Sequence, residues 1–163
     1  MPLKTGFAKG KIIRFQITPQ THVRATQGDK VLFRIGKLRL RAAGLKRLLR
    51  LEKYNEYKDA ICMLGKKHQF SFPNQGCHIR FYVPVPPSWS QKKKTRFHGT
   101  LHQAKPDIDN FVKAIFDSLF TEDKHVAHFQ ASKRWVDSPN GWIEFEMQET
   151  DFPEIPVPPK RPL

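Results

Sequence analysis

The apolar residues of this chain change their spacing several times, and each change predicts an element. In residues 11–17, Ile13, Phe15 and Ile17 alternate with polar residues, as in a half-buried strand. Residues 31–35 (VLFRI) repeat that alternation after a Gln-Gly-Asp turn and predict a second strand. Residues 77–83 predict a third strand, which ends at a run of prolines at positions 84, 86 and 87.

Helical spacing appears in two other segments. The apolar residues of 42–66 recur every three or four positions and predict a long helix with a basic outer face. Residues 109–120 predict a second helix that buries Phe111, Ile115 and Leu119. The polar, basic segment 88–103 predicts a mobile loop, and residues 126–135 and 142–147 predict a hairpin turned at Ser-Pro-Asn-Gly.

Length and composition limit the possible organisation. The 163 residues predict one domain over 1–150 followed by an extended, proline-rich tail over 151–163. The N-terminus lacks the apolar core of a signal peptide, and no apolar run approaches the roughly 20 residues of a membrane span. Cys62 and Cys77 form no CxxC motif, so a reducing cytoplasm is the expected location.

The charge of the chain predicts an anionic partner. Lysine and arginine number 29 against 15 aspartate and glutamate, a formal net charge of +14, which favours binding to DNA or RNA. A structural protein of the ribosomal type would share this excess, so charge alone names no function. Four cations on the outer face of the first helix fit a solvated surface as well as they fit phosphate contacts: Lys46, Arg47, Arg50 and Lys53.

An acidic cluster stands out against this basic background. Asp107 and Asp109 lie at the start of the second predicted helix, Lys113 follows Asp109 at i+4, and Asp123 follows the helix. Oxygen ligands of this kind suit Mg²⁺, which takes one or two carboxylates besides water and phosphate. Lys113 would then stabilise charge on a scissile phosphate. The simpler interpretation is that Asp109 caps the helix and Asp107 is an anion near its dipole.

Lys133 adds a further alternative. It shares the apolar side of its predicted strand with Ala131 and Trp135. A lysine in that position either extends its head past the edge of the sheet or reaches the carboxylates from the neighbouring strand.

The residues around this cluster resemble the RusA family of Holliday-junction resolvases. The resemblance rests on residues 105–113 (KPDIDNFVK), 114–119 (AIFDSL), 122–126 (EDKHV) and 133–139 (KRWVDSP), which are ordered as in the family. It covers about residues 105–147. The family often has paired aspartates where this chain has Glu122 and Asp123, so the resemblance does not assign Glu122 as a ligand.

The resemblance implies a complete set of expectations. The fold is α+β, a small mixed β-sheet with helices packed against it, in a homodimer that binds branched DNA, the four-way junction. Asp107, Asp109 and Asp123 bind Mg²⁺, for which Mn²⁺ can substitute, and Lys113 takes part in catalysis. No small-molecule cofactor or membrane is expected, and the protein is DNA-associated and of bacterial or phage origin. The expected DNA-binding residues are Lys92, Lys93, Lys94, Arg96, Lys105, Lys133 and Arg134.

Two other functions compete with a nuclease. A basic nucleic-acid-binding protein without catalysis would use the aspartates only at the helix end. A zinc protein would use the H-x₃-H and H-x₂-H spacings of His98, His102, His125 and His128, but the cysteines are badly placed for it.

Overall fold

The computed structural model describes residues 10–73 and 76–147. In chain order the elements are β1 (Ile12–Phe15), α1 (Gln27–Ile35), a 3₁₀ turn (Lys37–Arg39), α2 (Ala42–Lys67), β2 (Cys77–Pro84), α3 (Gln91–Phe97), α4 (Ile108–Leu119), β3 (Gln130–Val136) and β4 (Trp142–Met147). The predicted α+β class is confirmed, as are the two long helices and the strands at 11–17 and 77–83. Whether the protein is a dimer stays a prediction.

The four strands form one mixed sheet in the order β1-β4-β2-β3. β4 pairs antiparallel with both β1 and β2, and β3 pairs parallel with β2. A parallel pair needs a crossover connection, and here residues 85–129, with α3 and α4, supply it. The crossover therefore brings the start of α4 beside β3.

Helices α2 and α4 cover one face of the sheet. Phe15, Ile79, Phe81 and Phe145 point from the strands into this layer and are fully buried. α4 contributes Phe111, Val112, Ala114 and Ile115, and α2 contributes Leu51, Tyr54, Tyr57 and Ile61. With its apolar face fixed in the core, α4 turns Asp109 and Lys113 outward.

The other face of the sheet carries charged and aromatic side chains. Glu144 is 5% exposed, and its carboxylate accepts hydrogen bonds from the Arg14 guanidinium at 2.6 and 3.0 Å and from the Tyr82 hydroxyl at 2.9 Å. Trp142 stacks on Tyr82 with ring centroids 4.6 Å apart. Burial alone would raise the pKa of Glu144, but these hydrogen bonds hold it below its usual value.

The strand predicted at residues 31–35 is wrong, because this segment is the second half of α1. The N–H and hydroxyl of Thr26 donate to Asp29 Oδ2, and Arg47 of α2 binds both Asp29 oxygens at 2.9 Å. These contacts start a helix and fix it to α2. Val31 and Phe33 consequently stay about half exposed instead of entering the core.

The predicted hairpin is also wrong, although both of its strands exist. β2 lies between β3 and β4, so the connection at residues 137–141 crosses the end of β2 instead of forming a tight turn. Gly141 permits the crossing, since a Cβ atom there would lie 2.2 Å from the carbonyl oxygen of Tyr82. Its N–H donates to Thr18 Oγ1 at 2.9 Å, which joins the crossing to the segment after β1.

The segment predicted as a mobile loop, 88–103, contains helix α3 and packs on β3. Trp89 lies against Phe97 and Trp135, with centroids 5.1 and 5.3 Å apart. Leu101 forms a β-bridge with Arg134. The aromatic residues thus order a stretch whose lysines made it appear unstructured. The proline-rich tail predicted at 151–163 lies outside the described residues, and no helix among those described is long and apolar enough to cross a membrane.

Candidate active site

The N-terminus of α4 presents two of the predicted carboxylates. Asp107 is the N-cap residue by position, yet its side chain makes no capping hydrogen bond in the described structure. Asp109 lies in the first turn, and the Lys113 ammonium donates to its Oδ2 at 2.9 Å. This hydrogen bond lowers the pKa of Asp109. The N-cap position is therefore that of Asp107 and not of Asp109, and both carboxylates are exposed.

Lys133 of β3 reaches the segment that leads into α4. It pairs with Phe81 in the parallel register and so points to the helix-covered side, as the alternation predicted. Its ammonium donates to the carbonyl oxygens of Ala104 and Pro106 at 2.6 and 2.5 Å. Burial lowers the pKa of Lys133, and the negative charge of Asp107 opposes that change. Lys133 therefore reaches the backbone that precedes Asp107, and its contact with the carboxylates themselves stays a prediction.

Asp123 lies apart from these residues in the connection between α4 and β3. It is exposed, and its carbonyl oxygen accepts the Val126 N–H at 2.9 Å. Glu122 forms an ion pair with Lys124. Among residues 10–73 and 76–147, no group of three or more His, Cys, Asp or Glu is close enough to hold a metal. The convergence of three carboxylates thus stays a prediction that the single chain does not display.

Two of the three predicted carboxylates could supply part of the coordination shell of a hard divalent cation. Asp107 and Asp109 supply anionic oxygen atoms from one helical turn. Mg²⁺ commonly binds through one or two carboxylates and completes its coordination with water and phosphate. Histidines offer no comparable set: His98 Nδ1 accepts the Asp137 N–H at 3.0 Å, and His102 Nδ1 accepts that of Ala104 at 3.3 Å.

The predicted DNA-binding residues divide into two groups. Lys92, Lys93, Lys94 and Arg96 all lie on α3, where the Lys93 ammonium is 4.0 Å from the centre of the Trp89 ring. Lys105 is exposed just before Asp107. Arg134, by contrast, donates to the Gly99 carbonyl oxygen at 2.8 Å, much as Lys133 binds its two carbonyls. α3 and Lys105 therefore offer cations to solvent, whereas Lys133 and Arg134 hold the chain.

An apolar groove of about 350 Å³ borders the carboxylates. Ile108, Val112 and Phe116 of α4 form one wall, and Phe129 and Ala131 form the other. Asp109 and Lys113 stand at its rim, so this end of α4 combines charged and apolar surface.

Two groups near the site make contacts that sequence reasoning did not predict. His102 is 3% exposed and stacks on Trp135 with ring centroids 3.6 Å apart. Asp117, two turns along α4 from Asp109, binds His22 Nε2 at 3.1 Å and accepts from the Tyr54 hydroxyl at 3.4 Å. No local pattern indicates either group, because their partners come from distant parts of the chain.

A small α+β protein that sets exposed carboxylates beside lysines and a basic helix has the features of a metal-dependent enzyme acting on nucleic acid. The family comparison is more specific: the family model described as endodeoxyribonuclease RusA matches residues 35–146. The chain belongs to the RusA family, and it is accordingly an endonuclease, a Holliday junction resolvase. Proteins of this family bind branched DNA, act in recombination and repair, and are typically dimeric. No curated protein and no solved structure matched the chain.

Proposed function

We propose that this chain is a Mg²⁺-dependent endonuclease that resolves four-way DNA junctions by paired nicks. The observation that carries the proposal is the pair of exposed carboxylates at the N-terminus of α4, Asp107 and Asp109, with the Lys113 ammonium 2.9 Å from Asp109 Oδ2. Family membership supports the junction as substrate. The metal dependence and the roles of individual residues are our inference from the acidic end of α4.

Asp107 and Asp109 are the proposed metal ligands. Asp123 is the proposed third ligand, from the same chain or from the second subunit. Mn²⁺ shares the preference for oxygen ligands and would substitute for Mg²⁺. A bound divalent cation supplies a Lewis acid that polarises a phosphoryl oxygen and lowers the pKa of water.

Lys113 is the proposed charge-stabilising residue. Its ion pair with Asp109 keeps the ammonium at the exposed rim of the site, since both side chains are 58% exposed. A phosphate bound beside Asp109 would therefore lie within its reach. There the ammonium would offset negative charge that develops on the phosphate as water attacks phosphorus and the bond from phosphorus to the 3′ oxygen breaks, with a proton passing to that oxygen. The products would carry 5′-phosphate and 3′-hydroxyl ends.

We assign phosphate binding along the DNA arms to α3 and Lys105. The cations of α3 stand on a helix anchored to β3 by aromatic contacts, so they form a fixed basic surface. Each phosphate they neutralise releases counterions, which makes binding strongly dependent on salt. In a homodimer, two-fold symmetry would present two such sites to opposite strands and produce paired nicks.

Junction cleavage tests this proposal. With Mg²⁺, the protein should nick a labelled four-way junction at symmetric positions in opposite strands, and DNA ligase should reseal the nicks. A chelator should stop cutting, and a linear duplex of the same sequence should stay intact. A junction that is bound but left uncut in both Mg²⁺ and Mn²⁺ would overturn the proposal in favour of a non-catalytic binding protein.

A further inference from the structure

We propose that Lys133 and His102 position Asp107 by fixing the loop of residues 99–106, and that Lys133 does not contact DNA. This inference rests on the proposed function of Asp107 as a metal ligand. It changes the role of Lys133 from a phosphate contact to a positioning residue, and it gives His102 a role in the site.

The hydrogen bonds of Lys133 are the first argument. Its ammonium has three N–H donors, and two of them are directed to the carbonyl oxygens of Ala104 and Pro106. The Pro106 carbonyl belongs to the peptide bond that joins Pro106 to Asp107. A phosphate would have to displace these contacts, whereas the exposed lysines of α3 face no such competition. Lys133 is thus placed to fix the backbone from which the Asp107 side chain projects.

His102, which lies within the same loop, holds it through its ring and its backbone N–H. Its ring lies on Trp135, and its Nδ1 accepts the N–H of Ala104, whose carbonyl oxygen binds Lys133. The backbone N–H of His102 donates to the Lys133 carbonyl oxygen at 2.9 Å. Burial lowers the pKa of His102 and so favours the neutral ring that an accepting Nδ1 requires.

The loop is also held at its start. The N–H of Gly99 donates to the Trp135 carbonyl oxygen at 2.8 Å, and the Arg134 guanidinium binds the Gly99 carbonyl. Three successive residues of β3 therefore hold both ends of residues 99–106 against the sheet. Groups that support a metal ligand in this way commonly change metal affinity or activity about 10–100-fold when they are removed.

The salt dependence of junction binding separates a positioning role from a phosphate contact. Lys133→Met keeps the apolar stem and removes the ammonium. Lys92→Met makes the same change on exposed α3. If Lys92 contacts a phosphate, Lys92→Met should make the slope of log K against log salt less negative by about 0.9. We expect Lys133→Met to leave the slope unchanged and to raise by about 10–100-fold the Mg²⁺ concentration needed for half-maximal cutting.

Hydrogen exchange supplies a readout that does not depend on activity. In Lys133→Met the Ala104 amide should exchange at least about tenfold faster, while that of Ile115 in α4 keeps its rate. For His102, an asparagine presents an oxygen near the position of Nδ1 and a leucine does not. His102→Asn should therefore retain more of the Ala104 protection and of the Mg²⁺ affinity than His102→Leu.

The outcomes distinguish this inference from the proposed function. A slope reduced by about one in Lys133→Met, with unchanged Ala104 exchange, makes Lys133 a phosphate contact and overturns the inference. Equal losses in His102→Asn and His102→Leu overturn the role of His102. A wild-type protein that cuts no junction with any divalent metal refutes the proposed function instead, and the salt slopes and exchange rates still decide whether Lys133 holds the loop.

Discussion

Asp109→Asn is the most direct test of the site because it removes one charge and almost no volume. The carboxylate is exposed and its visible partner is Lys113, 2.9 Å away and equally exposed. Such surface pairs contribute little to folding, so the melting temperature should stay within about 2 °C of wild type. The formal net charge of +14 rises by one, which should leave junction binding equal or slightly tighter.

Cleavage should respond very differently. Removing one electrostatic partner of the transition state commonly costs about 10²–10³-fold in rate, and a lost metal ligand should cost at least as much. Single-turnover cutting of a labelled junction at saturating protein measures this loss without interference from binding. Asp59→Asn, at an exposed position on α2, makes the same change in charge and should cut within about twofold of wild type. Wild-type cutting by Asp109→Asn, or a loss of binding as large as the loss of cutting, would refute the assignment.

Three further predictions follow from other contacts. Lys113→Ala removes the hydrogen bond that lowers the pKa of Asp109, so the acid limb of the pH–rate profile should move to higher pH; an unmoved limb would separate Lys113 from Asp109. Arg14→Met should cost about 1–2 kcal/mol and raise the pKa of Glu144 toward its ordinary value of 4.5. The stability that this carboxylate adds above pH 4.5 should therefore shrink, and melting against pH should show a smaller loss below pH 4.5 than in wild type. Gly141→Ala should lower the free energy of unfolding by about 1–3 kcal/mol in a denaturant titration, because the new Cβ atom clashes with the Tyr82 carbonyl oxygen. Gly28→Ala in α1 is the control: its Cβ atom would meet only Thr26 Oγ1, at 3.7 Å, so this variant should be neutral or stabilising.

The elements that sequence reasoning placed well are those whose pattern reflects one continuous buried face. α4 was predictable because Phe111, Ile115 and Leu119 recur at helical spacing above a single core, and that spacing also directs Asp109 outward. The carboxylates follow from the same pattern, since their position relative to the helix start is a local property. The bounds of α4, predicted at 109–120 and observed at Ile108–Leu119, and its acidic end could therefore be derived without the structure.

The strand predicted at 31–35 shows where apolar alternation misleads. Val31 and Phe33 have the two-residue spacing of a strand, but neither enters the core, so their spacing records no buried face. The better signal was Thr26 followed three residues later by Asp29, the pattern that opens a helix. A capping pattern indicates where a helix begins, whatever the burial of the segment. Apolar alternation indicates a strand only where the apolar side chains are buried in a core.

Strand order and the support of the carboxylates depend on contacts that no local pattern contains. β3 and β4 are close in sequence and suggested a hairpin, but β2 separates them, since it pairs in parallel with β3 on one side and antiparallel with β4 on the other. That crossover places Lys133 beside carbonyl groups 27 and 29 residues earlier in the chain. The alternation of apolar residues predicted the side of the sheet to which Lys133 points. Its hydrogen-bond partners, the carbonyl groups of Ala104 and Pro106, could be identified only from the structure. The same reasoning applies to Asp123: the path of residues 120–129 places it apart from Asp107 and Asp109 in the single chain, a separation that sequence spacing does not reveal.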